Sequence, residues 1–197
     1  MRLGYWASIG ACLTSLGYAI PQILQVAGIL PDPIDRILIF APSLALAPCF
    51  VVALAAAYES GSDGQRALRL AALAIGILYA GLASIVYINQ LGVVIPREMT
   101  GDAAGYAALA CCGFRQPATV LDLLGYTYMS LATALLGPTY KGALRWLLLL
   151  NGAFAVPIFL QLGWPIFIWA AAPWLVVFPL AMIFLARSFA SETAQPA

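Results

Sequence analysis

The sequence predicts an all-α membrane protein, a bundle of six transmembrane helices. Three observations carry this. First, 63% of the 197 residues are hydrophobic and 9% are charged, whereas a soluble domain carries about 25% charged residues. Second, mean hydropathy is +0.95, more apolar than a water-facing fold of this size can hide. Third, apolar runs long enough to cross about 30 Å of hydrocarbon recur along the chain, and polar stretches holding nearly all the charge separate them.

The first expected span covers residues 3–30. Its start reads as membrane helix rather than cleavable signal, because Arg2 is the only positive side chain there and the apolar run is long. Pro21 frees a backbone carbonyl within it and bends it, and Gln22 and Gln25 follow. The segment PDPIDR, Pro31 to Arg36, turns the chain. Span two covers 37–58, carries Pro42 and Pro48, and ends in the alanine run Ala53 to Ala57. ESGSDGQR, Glu59 to Arg66, is the next turn.

Span three covers 67–91. Ala72, Gly76, Ala80 and Ser84 recur every four residues, a small-residue stripe that lets helices approach closely and predicts a central position for this helix. The link 93–116 opens with Pro96, Arg97 and Glu98 and continues AAGYAALACCGF, which reads as a short helix lying at the interface or folded back onto the bundle. Span four, PATVLDLLGYTYMSLATALL, covers 117–136; Pro117 suits its first turn and Gly137-Pro138 ends it. Span five covers 144–162 with Asn151 and Pro157. The short link to Pro165 makes a tight hairpin with span six, 165–186, which carries Trp169, Pro173, Trp174 and Pro179. All six belong to one domain, 1–188, and a polar tail, 189–197, is expected to fray. Leu16-Gly17-Tyr18 and Leu124-Gly125-Tyr126 open the two halves alike, too little to infer a repeat.

Six spans place both termini on one side. With the termini inside, the inner segments hold Arg2, Arg66, Arg69, Lys141, Arg145 and Arg187, and the outer ones only Arg36, Arg97 and Arg115. Positive charge favours the cytoplasmic side, so cytoplasmic termini in an inner (plasma) membrane are expected.

Several chemistries are excluded. The chain has no histidine, which removes histidine-ligated haem, most catalytic zinc and Ser-His or Cys-His pairs. The sole lysine, Lys141, lies in a loop, so a retinal Schiff base has no mid-membrane amine. There is no phosphate loop, Arg-rich voltage helix or potassium-filter signature. A net charge of +1 argues against nucleic acid, and no cofactor is expected. Cys12, Cys49, Cys111 and Cys112 form no C-x-x-C. The adjacent Cys111 and Cys112 are not expected to bridge; they read as packed small hydrophobes, with a reactive or lipidated pair as the alternative.

Asp122 is the one carboxylate expected inside a span, where an acid is costly and marks function by default. Tyr126 lies one turn on, and Met129, Ser130 and Thr133 continue that face. The topology brings Gln22, Gln25, Tyr87, Asn89, Gln90, Gln161, Trp164 and Trp169 to a similar depth, in the outer leaflet. The resulting expectation is an outer cavity, with Tyr87 among its lining residues, in which Asp122 and Tyr126 orient a polar head. Gln22, Gln25, Asn89 and Gln90 add hydrogen bonds, and Trp169 and Trp174 wall the apolar part. The competing reading is interfacial: amides and aromatic rings meeting headgroups, and an acid favoured by a helix N-terminus. Arg36, Arg97 or Arg115 would partner the acid in either.

The phrases LDLLGYTYMSLATALL in span four and LRWLLLLNGAF in span five, with the Trp- and Pro-rich last span, resemble six-span bacterial membrane proteins whose domains have no assigned function. The resemblance implies a bacterial inner membrane and carries over no residue role.

The leading expectation is a non-enzymatic protein that binds, and transports or senses, a small apolar or amphipathic molecule or lipid. The alternative is an accessory subunit of a larger membrane complex, or a homo-oligomer. A lipid-modifying enzyme fits less well, since no span holds an acid pair and no metal cluster is legible.

Overall fold

A computed structural model describes residues 2–102, 106 and 108–194. The protein is an all-α bundle in which, among the described residues, six helical stretches are long and apolar enough to cross a membrane. These contain nine α-helices: α1 Arg2–Val26, α2 Ile34–Glu59, α3 Arg66–Asn89, α4 Ile95–Met99, α5 Pro117–Leu136, α6 Gly142–Ala153, α7 Ala155–Leu160, α8 Ile168–Ala171 and α9 Trp174–Ala194.

The spans form a closed ring. Each packs on its sequence neighbour, α1 on α2, α2 on α3, α3 on α5, α5 on α6 and α6 on α9, and α9 closes on α1. Lipid gives no hydrophobic drive for this, so close backbone approach and polar contacts have to supply it. Small residues therefore turn inward, among them Ala11, Ala47, Ala53, Ala57, Ala72 and Ala83. Large apolar side chains such as Leu13, Ile77, Leu78, Ile85 and Val176 face out. At Gly152 a side chain would collide with Ala134 of α5, so glycine sets the α5–α6 approach.

Span three is a ring member between α2 and α5, not the central helix the small-residue stripe predicted. In its apolar window 33% of residues are buried, against 50% in span four. The stripe divides instead. Ala72 and Gly76 are buried, Gly76 beneath Leu54 of α2. Ala80 and Ser84, with Ala41, Ala45, Pro48 and Gly81, line an open apolar groove of about 710 Å³ between α2 and α3.

Several boundaries differ from expectation; α1 ends at Val26 and α2 starts at Ile34. Helix three does not stop at Leu91. It passes through a π-helical turn, Gln90–Val94, in which the Ile95 N–H donates to the Gln90 carbonyl, and continues as α4. The stretch Asp63–Met99 has 37 residues, about 55 Å at roughly 1.5 Å per residue. Its end therefore projects beyond the hydrocarbon and carries Arg97 and Glu98 into the polar rim. The helix keeps its course through Pro21, Pro42, Pro48 and Pro179 but breaks elsewhere. α6 ends at Ala153, four residues before Pro157, where the proline ring clashes with the preceding turn. A second break falls at Ala172–Pro173. Finally, α9 runs through Ala194, so the described part of the polar tail is helical.

The expected interfacial helix over 103–114 falls partly on 103–105 and 107, outside the described residues. Its described part forms turns. Within it Cys111 and Cys112 are joined by a disulfide, contrary to expectation. Side-chain amides fix the backbone there. Gln90 Nε2 donates to the Leu109 carbonyl at 2.6 Å, and Gln90 Oε1 accepts from the Cys111 N–H at 3.1 Å. Gln116 Oε1 accepts from the Cys112 and Gly113 N–H groups at 3.3 and 2.8 Å.

Candidate ligand site at Asp122

Pro117 starts α5 after an extended Gln116, the backbone a pre-proline residue favours. That start fixes Asp122 in the second turn of α5 and Tyr126 one turn deeper. Tyr126 is buried at the middle of the ring, where its own ring meets those of three other helices. Tyr79 of α3 lies at a centroid distance of 5.8 Å, Trp174 of α9 at 5.2 Å and Tyr18 of α1 at 6.2 Å. Tyr18 also touches Trp174, at 6.1 Å. Trp174 stacks on Phe178, which meets Phe50 of α2, which meets Tyr79. Five of the six spans thus send an aromatic ring to one cluster. Aromatic pairs at these separations add about 0.5–1.5 kcal/mol each beyond the area they bury.

Polar atoms sit inside this apolar frame. The Tyr87 hydroxyl donates to the Tyr126 hydroxyl at 3.0 Å. Asp122 faces Tyr87 and lies within electrostatic reach of the Tyr18, Tyr79 and Tyr126 hydroxyls. The Asp122 residue is partly exposed, so the cluster reaches the surface there. Its Oδ1 is nevertheless buried without a hydrogen-bond partner, and so are Tyr79 Oη and Trp174 Nε1. Leaving a buried polar atom unpaired costs about 1–3 kcal/mol. Three in one cluster mark a place that a further polar molecule would complete.

A smaller polar group follows along α5. Asn151 Nδ2 of α6 donates to Thr133 Oγ1 at 2.9 Å, and Asn151 Oδ1 and Ser130 Oγ are buried and unpartnered.

The structure brings four of the expected site residues together: Asp122, Tyr126, Tyr87 and Trp174. The other five are used elsewhere. Gln22 Nε2 donates to Gln25 Oε1 at 3.0 Å, and Gln25 Nε2 to Asp35 Oδ2 at 2.6 Å. Asp35 Oδ1 accepts from the Arg36 N–H at 2.7 Å. Asp35 is therefore buried in the first turn of α2 rather than in a loop. Asn89 folds back on its own helix, Nδ2 donating to the Ile85 carbonyl at 2.7 Å. Gln90 is buried but holds the link described above. Trp169 is 69% exposed, because one-turn α8 turns Ala171 inward instead. Nor does a cation reach Asp122. Arg36 pairs with Asp32, at 2.6 Å, and with Glu98, and Arg97 lies 3.9 Å from Asp102.

No protein-family model matches the chain, and neither does any curated protein or solved structure at a significant level. The geometry alone therefore carries the reading of the site.

Two tyrosines of the cluster, Tyr18 and Tyr79, were not candidates from sequence. The signal for Tyr18 was present: it closes the first of the two Leu-Gly-Tyr triplets, and its ring stacks on the tyrosine of the second. Tyr79 carries no comparable mark.

Proposed function

We propose that this multi-pass bundle binds a small amphipathic molecule, its polar head at Asp122 among Tyr79, Tyr87, Tyr126 and Trp174, as a step in transport or sensing. The observation that carries this is the convergence of three buried, unpartnered polar atoms, Asp122 Oδ1, Tyr79 Oη and Trp174 Nε1, beside a partly exposed acid. A core selected only for packing leaves such atoms paired or replaces them. The Lys/Arg distribution supports cytoplasmic termini in an inner membrane, with Asp122 toward the outer leaflet. Native mass spectrometry of protein extracted gently from its own membrane tests the reading. A stoichiometric small-molecule adduct, lost in Asp122→Asn, is the expected result; a bare protein, or an adduct indifferent to Asp122, overturns it.

One observation favours a second reading, an accessory subunit of a membrane complex. The α2–α3 groove has alanine, glycine and serine at Ala41, Ala45, Ala80, Gly81 and Ser84, among Leu44, Pro48, Val51 and Ile77, on a face that lipid would otherwise cover, and small residues there admit a partner helix closely. Co-migration with another membrane protein in mild detergent, lost on Gly81→Leu, supports it.

A further inference from the structure

Asp122 is an acid in a membrane bundle, and among the described residues no cation is paired to it. Among the described residues, the nearest candidates by topology are engaged elsewhere. Arg36 and Arg97 pair with other carboxylates, and Arg115 lies over the Phe114 ring at 5.0 Å. Arg69 is held among carbonyls between other loops. A carboxylate in apolar surroundings calls for a counter-charge.

Tyr18, Tyr79 and Tyr126 lie within its electrostatic reach and offer π surface. Tyr18, Tyr79, Tyr126 and Trp174 pack with centroids 5.2 to 6.2 Å apart. The negative faces of aromatic rings attract ammonium groups, most strongly where water is excluded. An anionic head would instead meet the Asp122 charge at low dielectric. The unpartnered atoms sort the remaining chemistry. Asp122 Oδ1 and Tyr79 Oη can accept from N–H, whereas Trp174 Nε1 only donates. A complete complement therefore has a cationic centre and, beside it, an acceptor oxygen.

From this juxtaposition of an unpaired acid, four aromatic rings and a lone indole donor, we infer that the molecule bound at Asp122 is an organic cation, a substituted ammonium with an adjacent oxygen. The inference rests on the ligand-site reading above. The rings close on one another, so the head enters by displacing one of them. Trp174 opens α9 directly after the Ala172–Pro173 break and has the least helix behind it.

The test is calorimetric titration of the purified protein, in an uncharged maltoside, with methylammonium, tetramethylammonium and choline. Each is paired with its neutral carbon isostere; for choline this is 3,3-dimethylbutan-1-ol. At least one ammonium should bind ten times more tightly than its isostere, and Asp122→Asn should remove that difference. Trp174→Phe should weaken choline more than tetramethylammonium, which has no oxygen. Equal binding of cations and isosteres, or no binding by any ammonium, overturns the inference. The two levels fail separately: an Asp122-dependent adduct that proves neutral or anionic leaves the ligand site standing and removes the cation, whereas no such adduct removes both.

Discussion

At one end of the ring Gln22, Gln25, Asp35, Arg36, Asp32 and Glu98 form a relay that runs from α1 through α2 to α4. At the opposite end Arg69, 5% exposed, donates to the Ala57 carbonyl at 2.5 Å, to Ser60 Oγ at 3.0 Å and to the Thr139 carbonyl at 3.2 Å. Its guanidinium also covers the Tyr140 ring at 4.9 Å. These two polar regions tie helix ends together, and their hydrogen bonds are made within the chain. The Asp122 cluster lies between them in depth and leaves three buried atoms unpaired, whereas the Arg69 side chain leaves one, its Nε. Burial of polar groups alone therefore does not distinguish stitching from a site in this bundle; the degree to which hydrogen bonds are left unmade separates them.

The contrast implies a graded series of stability losses. Arg69→Met removes four donated hydrogen bonds, the fourth a long one to Gln65 Oε1, and strands two buried carbonyls, and should cost about 3 kcal/mol. Unfolding followed by circular dichroism in detergent measures this, and ligand affinity should not change. Asp35→Ala breaks the relay where two bonds meet, and should cost about 2 kcal/mol by the same assay. Tyr87→Phe removes the bond to Tyr126 and the contact with Asp122 and should cost about 1 kcal/mol. Asp122→Asn should change stability least, by less than about 0.5 kcal/mol, because the amide oxygen can keep the hydrogen bond with Tyr87 and a buried charge is replaced by a neutral group. A large loss at Asp122 would show that the acid is a structural tie, and the comparison would collapse.

The fold was legible because hydropathy along a chain is a one-dimensional signal, and six runs of spanning length are hard to misread. The site was legible only in part because depth is also one-dimensional, while the direction a side chain faces is not. Gln25 and Asn89 share the approximate depth of Asp122, but one turns to the first turn of α2 and the other to its own helix. The small-residue stripe of span three misled for a related reason. Such a stripe states that something can approach, and half of it faces an open groove rather than a neighbouring helix. Arg69 resembled any other loop-side arginine until the loops closed around it.

The π-helical turn at Gln90–Val94 has a genetic consequence. A bond from residue five to residue zero holds one residue more per turn than the α-helical bond does. The turn therefore absorbs a residue while Tyr87 before it and Glu98 after it keep their faces. Deleting Gly92, which has open space around it, should let the segment relax to plain α-helix with both contacts preserved. Deleting Ile85, in regular α-helix, rotates everything beyond it by about 100° and turns Tyr87 away from Tyr126. Along this longest span, tolerance to loss of a single codon should be concentrated in one turn.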